Sequence, residues 1–283
     1  MNLRIRTGLA AVAVMLMTAV ASAGPAAAIT GGEPDGDAHP NVGLIVFYHP
    51  DGRFRCSATL ISPTVLITAA HCTSRVLGSV LIDFNTSISQ TGIPAPYAPA
   101  ANPAFGYTAA EVAAMGKVSG RAYTHPGYSD LTDTANWNDA GVVVLDSPVT
   151  IAPATIAPQD YLNQFKPNVL SKTIFDIVGY GDEVRQADSG SQKPTPLTYP
   201  LIRRQTTVIG QKLTPQILQV NGNDSDNRAG GGTCFGDSGG PIFHDGLIVG
   251  VTSYGYTKNC RYLAGFQRVD IAGVQSWVNS FLD

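Results

Sequence analysis

Two short stretches of this 283-residue chain hold the residue types of nucleophilic hydrolysis. Cys234-Phe235-Gly236-Asp237-Ser238-Gly239-Gly240-Pro241 sets one serine among glycines, with Gly232 just upstream. Glycine adopts backbone angles closed to other residues and lets a substrate backbone come close. A serine hydroxyl is a weak nucleophile and needs a base. Thr68-Ala69-Ala70-His71-Cys72 supplies an imidazole at the end of the apolar run Val65–Ile67. Histidine is the side chain best poised to take a proton near neutral pH. Such a base needs a carboxylate that fixes its tautomer and stabilises its charged form. Asp139, in Asn138-Asp139-Ala140-Gly141-Val142-Val143-Val144-Leu145, stands just before an apolar run. Asp146 follows the same run and is its rival for that role. The chemistry open to these groups is attack on a carbonyl carbon with transfer of the hydroxyl proton.

The elements that must position them read as strands. Val42–Tyr48, Ala58–Ile61, Val65–Ala69, Val80–Phe84, Gly141–Leu145, Thr173–Gly179, Leu247–Ser253 and Ala264–Val269 are short, rich in Val, Ile and Tyr, and bounded by Gly, Pro, Asn and Asp. Many short strands without interleaved helices predict an all-β barrel or sandwich. One segment differs: Ile271, Val274, Trp277, Val278, Phe281 and Leu282 share one face at a 3.6-residue period and predict a C-terminal α-helix packed on a barrel. Ile93–Gly106, with four prolines, and Asp182–Pro200 read as long surface loops. A boundary between halves fits Pro153–Pro167.

The chain start is a targeting segment. Arg4 and Arg6 precede an apolar run from Leu9 to Val20, followed by Ala21-Ser22-Ala23 and Ala26-Ala27-Ala28, both of the small-residue cleavage type. The run is too short to span a bilayer comfortably, so residues 1–28 read as a secretory signal peptide rather than a membrane anchor. The mature chain is then secreted and extracellular, with no membrane association after cleavage, in a compartment where disulfides persist. Charged residues are only 14% of the chain, against about a quarter in typical domains, which excludes a solvated disordered chain and a charged coiled coil. Eighteen basic against 21 acidic residues argue against nucleic acid as a partner. No His, Cys and acid cluster has metal-ligand spacing, and neither metal nor cofactor is expected. Asn85-Thr86-Ser87 and Asn223-Asp224-Ser225 fit the weak N-glycosylation pattern.

The two signature stretches resemble those of the trypsin/chymotrypsin family of serine endopeptidases, in its secreted bacterial form. The likeness covers nearly all of residues 29–283, and the chain order His71, Asp139, Ser238 is the family's. It implies two packed six-stranded antiparallel β-barrels with a C-terminal helix. One barrel, 29–155, carries His71 and Asp139; the other, 156–283, carries Ser238. Together they form one peptidase domain, 29–283, which is expected to be monomeric. The resemblance makes Ser238 the nucleophile, His71 the base and Asp139 its orienting acid, since the family acid precedes its strand. Gly236 and Ser238 would supply the oxyanion-hole N–H groups, which meet charge as it develops. Ser253-Tyr254-Gly255 resembles the strand that pairs with extended substrate, with Tyr254 where many members have Trp.

The resemblance also bears on activation, specificity and cross-links. Ile29-Thr30-Gly31-Gly32 resembles the mature start of the family, whose free ammonium pairs with the residue at Asp237. Related zymogens are cut after Arg or Lys, but Ala28 precedes Ile29 here. Activation without a tryptic cut follows: cleavage after Ala28 directly, or after Ala23 with later trimming of a short propeptide, 24–28. The base of the specificity pocket falls on Gly232 with Thr233 beside it, and its walls on Gly255 and Ala264. These are uncharged and predict preference for aromatic or large aliphatic residues, unless Asp224 or Asp226 reaches in. Polypeptide substrates and protein protease inhibitors are the implied partners. A non-catalytic binding module on the same fold and an esterase are the rival functions. Four cysteines allow three pairings; the resemblance selects Cys56–Cys72 and Cys234–Cys260. Each would stabilise by about 2–4 kcal/mol. Neither would join one barrel to the other, which leaves that interface to packing.

Overall fold

The computed structural model describes residues 29, 31–88, 96–184, 197–223, 228 and 230–282. The leader 1–28, Asp224 and Asp226 lie outside the described residues.

Six strands from the first half close into a barrel: β1 (Val42–His49), β2 (Gly52–Ser62), β3 (Val65–Thr68), β4 (Leu77–Asp83), β5 (Val118–Thr124) and β6 (Gly141–Leu145). Every pairing is antiparallel, in the spatial order β1-β2-β3-β6-β5-β4, with β4 returning to β1. Side chains alternate between faces along a strand, and here both faces are covered. Ile45, Phe47, Leu60, Leu66, Val80, Ile82, Val143 and Leu145 form one buried cluster. Their neighbours Leu44, Val46, Ile67, Leu81 and Val142 join a second cluster with Val178, Phe243 and Val251 of the other half. Burial on both faces is why Val42–Tyr48 is an unbroken apolar run rather than an alternating one.

The second half forms a closed barrel from β7 (Ile174–Gly179), β8 (Arg204–Leu213), β9 (Ile217–Asn221), β10 (Pro241–His244), β11 (Leu247–Gly255) and β12 (Leu263–Arg268). Their order is β8-β9-β12-β11-β10-β7, closed by β7 against β8 from Ile174↔Ile209 to Gly179↔Arg204. Phe175, Ile177, Val208, Leu218, Val220, Ile242, Val249 and Phe266 make its core, and Ile29 packs into the same cluster, fully buried. The two-barrel fold with a C-terminal helix is as the resemblance implies.

Two helices matter to the packing. α1 (Ala109–Ala114) starts at a capping box, in which Thr108 Oγ1 accepts from the Glu111 N–H and the Glu111 side chain accepts from the Thr108 N–H. α2 (Ala272–Asn279) is the helix read from periodicity, with Val274 and Val278 buried. It follows the second barrel but packs on the first: Trp277 meets His125 edge-on at 5.1 Å and Phe281 lies 5.1 Å from Tyr123.

Two expectations need correction. Ile93–Gly106 is not simply a surface loop: Tyr97 and Ala100 are buried, because Tyr97 donates to Asp83 Oδ2 at 2.8 Å and Arg53 holds the Tyr97 carbonyl at 3.1 Å. Nor is the barrel interface held by packing alone. Arg203, just before β8, is 1% exposed and uses every N–H it has. It donates to Asp35 Oδ2 at 2.7 Å, to the carbonyls of Val42, Phe84 and Gly36, and to Thr86 Oγ1. A buried guanidinium is tolerated because its charge and donors are matched in this way.

Candidate active site

His71 occupies a single 3-10 turn, Ala70–Cys72, directly after β3. The Cys56–Cys72 disulfide ties that turn to β2. Asp139 precedes β6, the strand that pairs with β3 through Thr68↔Gly141, so the register alone brings the two together. The carboxylate, fully buried, accepts from the His71 backbone N–H through Oδ1 and from His71 Nδ1 through Oδ2, both at 2.9 Å. Burial disfavours the imidazolium, but the charge and hydrogen bond of Asp139 outweigh it and raise the His71 pKa above its usual 6.5. Asp146 instead accepts from Ser119 on the surface.

Two residues of the second barrel reach Asp139. Ser253 on β11 donates to Oδ2 at 2.6 Å, and Gln267 on β12 accepts from the Asp139 N–H at 2.8 Å. The sequence reading assigned Ser253 to substrate binding only and missed Gln267. A polar side chain inside the apolar run Ala264–Val269 was the available signal, because a buried amide must find partners.

Ser238 lies in the loop between the Cys234–Cys260 disulfide and β10. Gly239 fixes where that loop sits. Its φ is +74°, and a Cβ there would come within 2.7 Å of the Ser57 carbonyl and 2.8 Å of the Ala69 N. Glycine alone permits this angle and this approach to the chain leading into His71. Gly236, at φ +96°, needs the same freedom; its carbonyl accepts from Ser57 Oγ at 3.0 Å. Ser57 Oγ also accepts from the Tyr180 N–H, so this side chain, absent from the sequence reading, braces the Ser238 loop. His71, Gly236 and Ser238 line one cavity of about 950 Å³, with apolar walls that include Phe54, Tyr97, Leu201 and Phe235. Arg55 and Asp182 form an ion pair in its lining, where burial pushes the Asp182 carboxyl up to about 6 against the attraction of Arg55.

Asp237 is buried beside Ser238. Its carboxylate accepts from the Gly181 and Cys234 backbone N–H groups, both at 2.8 Å. Burial nevertheless pushes its pKa up to about 7, which marks a site short of positive charge.

The remaining predicted residues, Gly232, Thr233, Ser253, Tyr254, Gly255 and Ala264, are not in the lining of that cavity. Gly255 and Ala264 are cross-strand partners on β11 and β12, and Ala264 also faces Val220 on β9. A Cβ at Gly232 would lie 2.7 Å from the Gly222 Cα. Thr233 is half-buried next to Cys234. Tyr254 turns its ring over Gly265, and Trp137 meets that ring at 5.3 Å. Side-chain donors of Cys56, His71 and Cys72 also lie close together, but both sulfurs are in the disulfide and neither is a thiolate ligand.

Comparison with known proteins identifies the family and the fold. The family described as Trypsin matches residues 35–278. The chain is 28% identical over 258 residues to a trypsin of Saccharopolyspora erythraea, covering 90% of this chain and 95% of that one. Among solved structures it is similar in fold to one titled GrC, with a TM-score of 0.61, 18% identity and 90% and 99% of the two chains covered. It is also similar to human heparin binding protein, with a TM-score of 0.59, 18% identity and 90% and 96% covered. The chain belongs to the trypsin family of serine endopeptidases.

Proposed function

We propose that the chain hydrolyses polypeptides through Ser238, His71 and Asp139. The observation that carries this reading is the double hold of Asp139 on His71 beside a cavity that Ser238 shares. A hydrogen bond from Nδ1 to Asp139 places the ring proton there and leaves Nε2 as the base. Ser238 Oγ attacks the scissile carbonyl while Nε2 takes its proton. The N–H groups of Gly236 and Ser238 receive the oxyanion, as preorganised donors are most effective where charge develops. The intermediate collapses, the C–N bond breaks and His71 returns the proton to the leaving amine. Water then attacks the acyl-enzyme by the same route, and Ser238 recovers its proton.

The buried, cation-poor Asp237 supports an activation step in which the freed Ile29 ammonium supplies the missing charge. Removal of residues 1–28 creates that ammonium without a tryptic cut, and the mature enzyme is secreted as a monomer. The uncharged Gly232, Thr233, Gly255 and Ala264 support a preference for aromatic or large aliphatic residues before the cut. Polypeptides are the substrates, and protein protease inhibitors fit the same cleft.

The rival reading is a binding module that keeps the fold without catalysis, since fold does not fix function. Human heparin binding protein, a fold neighbour, is titled for binding. An esterase is the other rival. Treatment with a serine-directed sulfonyl fluoride, followed by mass mapping, separates catalysis from binding: one adduct at Ser238 is expected, and no adduct there refutes the proposal.

A further inference from the structure

Trp137 and Asp139 converge on one hydroxyl. Between them Asn138 holds φ +44°, a left-handed turn that asparagine tolerates better than most residues. Its side-chain amide fixes the turn by donating to the Gly127 carbonyl at 3.0 Å. The turn sends the side chains on either side of it to the same atom of the second barrel. Trp137 Nε1 donates to Ser253 Oγ at 2.8 Å, and Ser253 Oγ donates to Asp139 Oδ2 at 2.6 Å.

The direction of these bonds is forced. An indole N–H can only donate, and a serine hydroxyl has a single proton. While Trp137 donates to Oγ, that oxygen is an acceptor on one side and has its proton free for the other. An ionised Asp139 can only accept. Trp137 therefore fixes the Ser253 proton on Asp139 Oδ2, the oxygen that also accepts from His71.

We infer that Trp137 is a positioning residue for the triad, acting through Ser253 to orient the Asp139 carboxylate and temper its basicity toward His71. The inference rests on the triad reading above. Without the indole N–H, the Ser253 hydroxyl turns away for part of the time. Asp139 Oδ2 then has only His71 and becomes a stronger acceptor for it. The other groups facing the pair do not change. Gln267 faces it from β12 and is neutral, and Tyr128 is kept protonated by its burial and by the charges of Asp139 and Asp130.

Trp137 also packs on Tyr254, so its substitution must separate two roles. Trp137→Phe keeps an aromatic ring against Tyr254 and removes the N–H together with the smaller ring that carries it. The substrate should be an ester of a single acylated amino acid, too short to reach Tyr254, with active-site titration to count functional molecules. The expected result is about a three- to tenfold fall in kcat at unchanged KM, the rate equivalent of one neutral hydrogen bond. The acid limb of the pH–rate profile should move to higher pH. In a Ser253→Ala background the same substitution should cost nothing further, because the hydroxyl that transmits it is gone. Unchanged kcat on the short ester, or equal losses in both backgrounds, overturns the inference and leaves Trp137 as a subsite wall. A wild-type protein inactive toward the ester would instead overturn the triad reading.

Discussion

Ser253 and Asp139 belong to different barrels, yet Ser253 Oγ donates to Asp139 Oδ2 at 2.6 Å. The carboxylate that holds His71 is thus set partly from the barrel that carries Ser238. Gln267 reinforces the contact from the next strand, and Gly239 presses the Ser238 loop against the chain entering His71. Barrel docking and the proposed triad share these contacts, so loosening the interface should reach the chemistry.

Arg203 is the residue to test for that coupling. Arg203→Met keeps most of the volume but leaves the buried Asp35, among the described residues, with His39 as its remaining side-chain hydrogen-bond partner. Stripping one member from a buried ion pair costs about 3–5 kcal/mol. Urea unfolding should show a loss of that size, with kcat falling before the global transition. A loss below about 1 kcal/mol, the worth of an exposed pair, would contradict the interface role.

The pH–rate profile should carry the signature of His71. Its pKa lies above 6.5, so the free base is lost as pH falls through a value above 6.5, and kcat/KM should fall with it. Asp139→Asn removes what raises that pKa and leaves burial, which lowers it. The limb should move below pH 6.5, while the rate at its plateau drops at least about a hundredfold with the base mis-oriented. A limb that stays in place would mean that His71 is not the titrating group.

Asp237 predicts opposite pH responses before and after cleavage at Ile29. With the leader attached its folded pKa is about 7, above the 3.8 of the unfolded chain. Its contribution to stability is full below pH 3.8 and is lost as pH rises through about 7. An Ile29 ammonium would bring the folded value below 3.8 and invert the sign. The mature chain should therefore gain stability over the precursor between pH 4.5 and 7.5, measured by urea midpoints. A constant difference would rule out the ion pair.

Gly255 offers a test of the proposed specificity pocket that spares the fold. A Cβ there meets nothing within 4 Å. Gly255→Val should leave Tm within about 2 °C, as surface substitutions do. Cleavage after Phe and Leu should fall at least about tenfold relative to cleavage after Ala, in line with the 1–3 kcal/mol that a pocket methylene commands. A wild-type preference for Arg and Lys would overturn the apolar assignment itself.

Much of this was legible in the chain, for identifiable reasons. Strands buried on both faces announce themselves as apolar runs, so Val42–Tyr48 and Gly141–Leu145 were readable. β5 and β8 were not: Val118-Ser119-Gly120-Arg121 and Arg204-Gln205-Thr206-Thr207 are too polar to stand out as apolar runs. α1 was missed although Thr108-Ala109-Ala110-Glu111 spells a capping box, because its six residues bury only Val112. Candidate site residues embedded in dense local motifs, such as His71 and Ser238, stood out. Ser57, Trp137, Gln267 and Arg203 did not, since each acts through one long-range hydrogen-bond network that no local pattern encodes.

The most direct test of the whole account is hydrolysis of casein by the mature protein and by its Ser238→Ala variant, after both are shown to share one far-ultraviolet spectrum and unfolding midpoint. The account predicts steady proteolysis by the first and none above background by the second. Equal proteolysis by the two would contradict Ser238 as the nucleophile, and with it the mechanism.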